Sequence, residues 1–165
     1  MSTRACYVFK QSGPYRKDIT IYKHHDGYPA GGISWIKAAK DYGDQLPADE
    51  FGENIDYPSD KMVTGFMACP SITHQAKMFT DDYKNHGDLS YHYEITDDNY
   101  VEVFSHNYVL VGEEQKSLLD NEYEEKVELI FSGSIDEAVK KYVPAEEVAW
   151  NIQKQSKLYY QKKKS

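Results

Sequence analysis

The sequence predicts an α+β domain: a mainly antiparallel β-sheet with helices packed on it, in the order ββααββ(β)βαα. Three observations predict it. Several short runs alternate with period two or are rich in β-branched and aromatic residues, as strands require. Other stretches repeat their apolar residues at helical spacing. The chain has 165 residues, the length of one domain, and can bury roughly two-thirds of the surface its unfolded form exposes without a metal or disulfide staple. Residues 1–165 are read as a single domain with a frayed basic tail at 161–165.

Residues 4–10 and 18–25 read as strands joined by a loop with Gly13-Pro14 punctuation, an opening hairpin. The second strand ends at the turn dipeptide Asp26-Gly27, and Pro29 prevents its continuation. Ile33, Trp35, Ile36, Ala39 and Tyr42 then recur at near-helical spacing, with Gly43 as the expected stop. Residues 43–58 read as an acidic loop. Ser59 is placed as the cap of the next helix, whose apolar side holds Met62, Val63, Phe66 and Met67, and Pro70 interrupts it. A further helical stretch is expected over 72–79.

Residues 89–95 and 100–104 alternate on either side of Asp97-Asp98-Asn99, the clearest hairpin in the chain. A short strand is expected at 108–111 and another at 127–131, with a loosely patterned acidic connection at 113–126 between them. Ser134-Ile135-Asp136-Glu137 is a capping box ahead of a short helix. Pro144 resets the chain, and Ala145-Glu146-Glu147 opens the expected final helix.

The formal net charge is −8, from 27 acidic and 19 basic residues. Duplex nucleic acid is therefore not an expected partner, since binding it requires a basic face. Cys6 and Cys69 fit no zinc spacing and are expected to be reduced. No apolar run approaches the length of a membrane span, and no signal-peptide core follows Met1, so a cytoplasmic protein without membrane contact is expected. No cofactor is expected. The 15 tyrosines suit half-buried strands and protein-facing surfaces.

The stretch Tyr22-Lys23-His24-His25-Asp26-Gly27-Tyr28-Pro29 concentrates the polar chemistry. His24, Asp26, Gly27, Tyr28 and Pro29 read first as a structural turn, in which Gly27 supplies a positive φ. A catalytic or metal reading needs His24 and Asp26 to pair on one side of a strand, with distant histidines completing a site. A third reading has Gly31-Gly32 offering backbone N–H groups to the phosphate of a nucleotide signal. The Gly-x-Gly-x-x-Gly, His-Glu-x-x-His and Gly-x-Ser-x-Gly patterns are absent.

Arg4-Ala5-x-x-x-Phe followed by Ile-Tyr-Lys-His-x-Asp-Gly-Tyr-Pro at 21–29 resembles a group of small bacteriophage and prophage proteins. Tyr91-His92-Tyr93 loosely matches a later strand of that group. The resemblance implies a phage setting and no particular reaction. With the charge and the tyrosines, it leads to the expectation of a non-enzymatic protein in the host cytoplasm. Such a protein would bind and inhibit a bacterial enzyme or a defence complex, an anti-CRISPR-like role or inhibition of an ATP-dependent protease. The partner surface is placed on Glu113, Glu114, Asp120, Glu122, Glu124 and Glu125, with Tyr91, Tyr93 and Tyr100 beside it. The alternatives are a small metal-dependent hydrolase or nuclease using His24 and Asp26, and a nucleotide-signal binder.

Overall fold

The computed structural model describes residues 3–11, 17–45, 58–69, 77–96, 98–110 and 123–146. Its strands are β1 (Ala5–Phe9), β2 (Ile19–Lys23), β3 (Lys77–Thr80), β4 (Tyr91–Ile95), β5 (Tyr100–Leu110) and β6 (Tyr123–Ser134). Its helices are α1 (Pro29–Asp44), α2 (Pro58–Ala68) and α3 (Ile135–Tyr142), with a single 3-10 turn at Tyr83–Asn85. The fold is α+β. The expected final helix begins at residues 145 and 146; its continuation and the tail at 161–165 lie outside the described residues.

The six strands form one sheet in the order β3-β2-β1-β4-β5-β6. Both expected hairpins are present, β1 with β2 and β4 with β5. The sheet is mixed and not purely antiparallel: β1 and β4 run parallel, with Cys6 beside His92 and Tyr7 beside Tyr93. A parallel neighbour needs a long crossover, and here the chain between β2 and β4 supplies it with two helices and β3. The stretch expected to be helical over 72–79 is a strand from Lys77 onward, paired with β2. Residues 71–76 lie outside the described part. The short strand expected near 108 is the end of an eleven-residue β5. β6 starts at Tyr123, so Glu124 and Glu125 belong to a strand and not to a loose connection.

Alternation gives the sheet two faces. One carries Ala5, Tyr7, Phe9, Ile21, Tyr93, Ile95, Val101 and Val103, buried against Ile33, Ile36, Ala39, Met62, Phe66 and Ala138 of the helices. Tyr7 sits between Phe66, at 4.7 Å between ring centroids, and Tyr93, stacked at 5.0 Å. The opposite face carries Tyr22, Cys6, His92 and Phe104 in adjacent strands.

Pro29 opens α1, where its missing N–H costs nothing. Gly43 does not stop this helix, which runs to Asp44. Its role is contact: a Cβ there would lie 2.3 Å from the Lys61 carbonyl oxygen of α2. α2 begins at Pro58, so Ser59 is inside the helix and not its cap. Its last turn is closed by Lys77 of β3, whose ammonium donates to the Phe66 and Met67 carbonyls at 2.9 and 3.2 Å. A cation there complements the helix dipole. α3 begins as expected, with the Ser134 hydroxyl accepting from the Glu137 N–H at 3.1 Å.

Candidate functional site

The turn at 22–29 is built around a buried cation. Ile19, Ile21 and Lys23 alternate onto the helix-facing side of β2, so Lys23 enters the core and has no exposed surface. Its ammonium donates to the His25 carbonyl at 2.5 Å and lies 5.0 Å from the centre of the Trp35 ring. Burial lowers its pKa to about 8, against the opposing charge of Asp26. The positive φ falls on Asp26, at 57°, and not on Gly27 as the sequence suggests. Aspartate tolerates that region better than most residues.

Gly27 is needed for a different reason. Its N–H donates to the Thr3 carbonyl at 2.9 Å, and its carbonyl accepts from the Tyr93 hydroxyl at 2.6 Å. A Cβ there would meet the Ala5 Cβ at 2.6 Å and the Thr3 oxygen at 2.8 Å. Gly27→Ala is therefore expected to destabilise the fold by about 1–3 kcal/mol through overpacking. Urea denaturation measures this, and an unchanged midpoint would contradict the close approach.

His24 and Asp26 do not form the pair a catalytic reading requires. His24 Nδ1 is 2.9 Å from the Tyr22 hydroxyl, and no hydrogen bond or ion pair among the described residues joins it to Asp26. No group of three or more His, Cys, Asp or Glu side chains among the described residues is placed to hold a metal. The Gly31-Gly32 pair is used for packing. A Cβ at Gly31 would lie 2.4 Å from the Asp26 oxygen, and one at Gly32 would lie 2.4 Å from the Tyr93 ring. Tyr28 is exposed ahead of Pro29 at the start of α1.

The second face of the sheet carries a chain of polar groups that the sequence reading missed. His92 Nδ1 lies 2.6 Å from His106 Nε2, and His106 Nδ1 lies 2.6 Å from Glu125 Oε1. With both rings neutral, one pattern satisfies both contacts. His106 Nδ1–H donates to the carboxylate, and His106 Nε2 accepts from His92 Nδ1–H. His92 is sandwiched between Tyr83 at 4.1 Å and Phe104 at 4.3 Å, both nearly parallel to it. Burial, then the nearby His106 and Lys10, lowers its pKa to about 3. Beside it in the sheet, burial pushes the Cys6 thiol up to about 12, with the Asp82 charge adding to the effect. A thiol held that far from ionisation is a poor nucleophile. The period-two spacing of His92, Phe104 and His106 within their strands was the available signal, but Glu125 joins them only through the β5–β6 register.

β5 and β6 continue beyond the other strands as a two-stranded ribbon. β4 pairs with β5 only as far as Ser105, whereas β6 pairs with it to Leu110. Paired residues put Phe104, His106, Tyr108 and Leu110 with Leu129, Val127, Glu125 and Tyr123 on one face. Tyr108, Tyr123, Val127 and Leu129 are large apolar side chains exposed to solvent there. The other face carries Glu124, Lys126 and Glu128 opposite Val109, Asn107 and Ser105.

The residues expected to meet a partner are thus divided. Glu124 and Glu125 are exposed on the ribbon. Glu113, Glu114, Asp120 and Glu122 lie outside the described residues. Tyr100 is exposed, its hydroxyl 2.5 Å from the Ser132 hydroxyl, and Tyr91 is half-buried. Tyr93 cannot contact a partner: it is fully buried and ties β4 to the turn at Gly27. Tyr91 and Tyr93 share a strand face, so alternation directs both toward the helices.

Comparison with protein-family models, curated proteins and solved structures finds no match to the chain. No helix among the described residues is long and apolar enough to cross a membrane.

Proposed function

We propose that this chain is a phage-encoded, host-directed protein that binds and inhibits a bacterial enzyme or defence complex without catalysing a reaction of its own. One observation carries the binding reading: the β5–β6 ribbon presents Tyr108, Tyr123, Val127 and Leu129 together on one exposed face, with carboxylates along the same strands. Exposed apolar side chains gathered on one element and bordered by charge are the composition of a protein-binding surface. The phage setting rests on the resemblance at Arg4-Ala5 and residues 21–29, and inhibition is the role that setting favours. The hydrolase alternative is weakened because His24 is engaged by Tyr22. The nucleotide alternative is weakened because Gly31 and Gly32 are packed against Asp26 and Tyr93.

Immobilised protein should capture one bacterial protein or complex stoichiometrically from lysate and inhibit its activity when added back. Leu129→Ala with Val127→Ala should speed dissociation. Glu122→Lys with Glu124→Lys should slow association and flatten its salt dependence, because exposed charges steer encounter and are screened over about 8–10 Å near physiological ionic strength. Glu125 is left intact in this test because it holds His106. A folded apolar double variant that binds and inhibits as well as the unaltered chain would remove the ribbon from the interface.

A further inference from the structure

The far edge of the sheet raises a separate question from its face. β6 has twelve residues and closes one side of the sheet, with β5 as its only strand neighbour among the described residues. Its first seven residues, Tyr123 to Leu129, are all exposed. A long edge strand offers a row of backbone donors and acceptors to another strand. Most natural edges are shielded by a helix, a bulge or a proline. Here the irregularity lies at the inner end, between Val103 and Phe104 of β5 opposite Ile130, and leaves the outer stretch regular.

Glu125 is taken by His106, but Lys126 and Glu128 face no opposite charge on β5. Lys126 faces Asn107 across the ladder, and Glu128 faces Ser105, both neutral. Now consider β6 meeting a copy of itself about a two-fold axis. Apolar-face residues must oppose apolar-face residues, so the axis passes through a residue and not between two. An axis at Lys126 puts Lys126 against Lys126 and Glu124 against Glu128. An axis at Glu125 or Glu128 sets two carboxylates against each other at the centre. An axis at Leu129 also avoids such clashes, but it sets Glu128 against Ile130, at the irregular step of the ladder, and joins no opposite charges; the axis at Val127 avoids them within the regular stretch. It puts Val127 against Val127, Glu125 beside Leu129, and Lys126 against Glu128 twice. The ladder from Glu125 to Leu129 has five residues, the same length as the pairing of β1 with β2.

We propose that β6 is the site of self-association: two copies of the chain pair their β6 strands antiparallel about Val127, joined by two reciprocal Lys126–Glu128 contacts. The two sheets become one continuous sheet, and the apolar ribbon faces of both copies lie side by side. This goes beyond the proposed host-directed role and does not depend on it.

Sedimentation velocity over a concentration series tests the pairing. The unaltered chain should sediment as a dimer. Lys126→Glu or Glu128→Lys should each turn two attractive cross-strand contacts repulsive and weaken the dimer roughly tenfold or more, because like charges directly opposite on paired strands are destabilising. The variant carrying both Lys126→Glu and Glu128→Lys should recover the dimer, since the swap restores opposite charge at each contact. Neither position faces a charged residue on β5, so folding measured by circular dichroism should be unchanged in all three. Three results would each overturn the proposal: a monomer at every concentration up to about 100 μM, where a dimer of about micromolar Kd would be mostly formed; single variants with undiminished association; or a double variant that stays monomeric. A monomer would leave this edge to a strand of a different protein.

Discussion

Gly65→Ala is expected to destabilise the fold by about 3 kcal/mol, at the upper end of what overpacking costs. The added methyl group would sit 2.0 Å from the Ala39 carbonyl oxygen and 3.1 Å from the Gly43 nitrogen. These are backbone atoms of α1, so no side-chain rotation relieves the clash. The helices would have to separate, and their separation would loosen Ile36, Ala39, Met62 and Phe66, all fully or almost fully buried. Phe66 in turn packs on Tyr7 and Phe9 of the central strand. Gly43 and Gly65 thus set the distance between α1 and α2. Thr64→Ala is the control, because Thr64 is exposed on the same helix and should change stability by no more than about 0.5 kcal/mol. Equal melting temperatures for the two variants would refute the close crossing.

The second large effect is a loss of stability in acid. His92 is held neutral in the fold, with its pKa lowered from the ordinary 6.5 to about 3. Below pH 6.5 the unfolded chain takes up a proton at this position that the folded chain refuses until about pH 3. The unfolded state therefore binds more protons in that window, and stability falls as pH falls from 6.5 toward 3. The slope from one such group approaches about 1.4 kcal/mol per pH unit. The groups around His92 are His106 of β5, Glu125 beyond it on β6, Tyr83 above it, Cys6 on β1 and Lys10 at the end of β1. Denaturation midpoints at pH 7, 6 and 5 measure the slope. In His92→Phe the ring stack with Tyr83 and Phe104 is retained while the titration is removed, so the midpoint should be lower at pH 7 but flatter toward pH 5. A variant with the same acid slope as the unaltered chain would show that other groups carry it.

Features that depend on neighbours in sequence were legible without the structure. The runs at 4–10 and 18–25, rich in β-branched and aromatic residues, announced their strands by composition, and those at 89–95 and 100–104 by alternation, because a half-buried strand must present every second side chain to the core. The two hairpins followed from the turn residues between those runs. The Ser134–Glu137 box marked the start of α3 for an equally local reason, since a helix N-terminus must find acceptors within a few residues. β2 ends at Lys23, just before the expected Asp26-Gly27 turn, and the positive φ lies on Asp26 and not on Gly27.

What depended on strand order was not legible. Period two says which residues share a face, but it does not say which strand lies beside which. The parallel meeting of β1 and β4, the strand at Lys77–Thr80 and the β5–β6 register are all long-range pairings. The buried Lys23 and Tyr93 follow from them: a lysine ammonium and a tyrosine hydroxyl can be buried only where the tertiary fold delivers acceptors, here the carbonyls of His25 and Gly27. The same is true of the His92–His106–Glu125 chain, whose members come from three strands. Gly43 read as a helix stop because glycine often is one, and only the crossing of α2 at 2.3 Å from its missing Cβ reveals a contact residue. Sequence alone determined most of the elements and the net charge; tertiary structure decided which charges are buried, which are exposed and which strand edge has no neighbour among the described residues, because desolvation and pairing act between residues that the chain does not place next to each other.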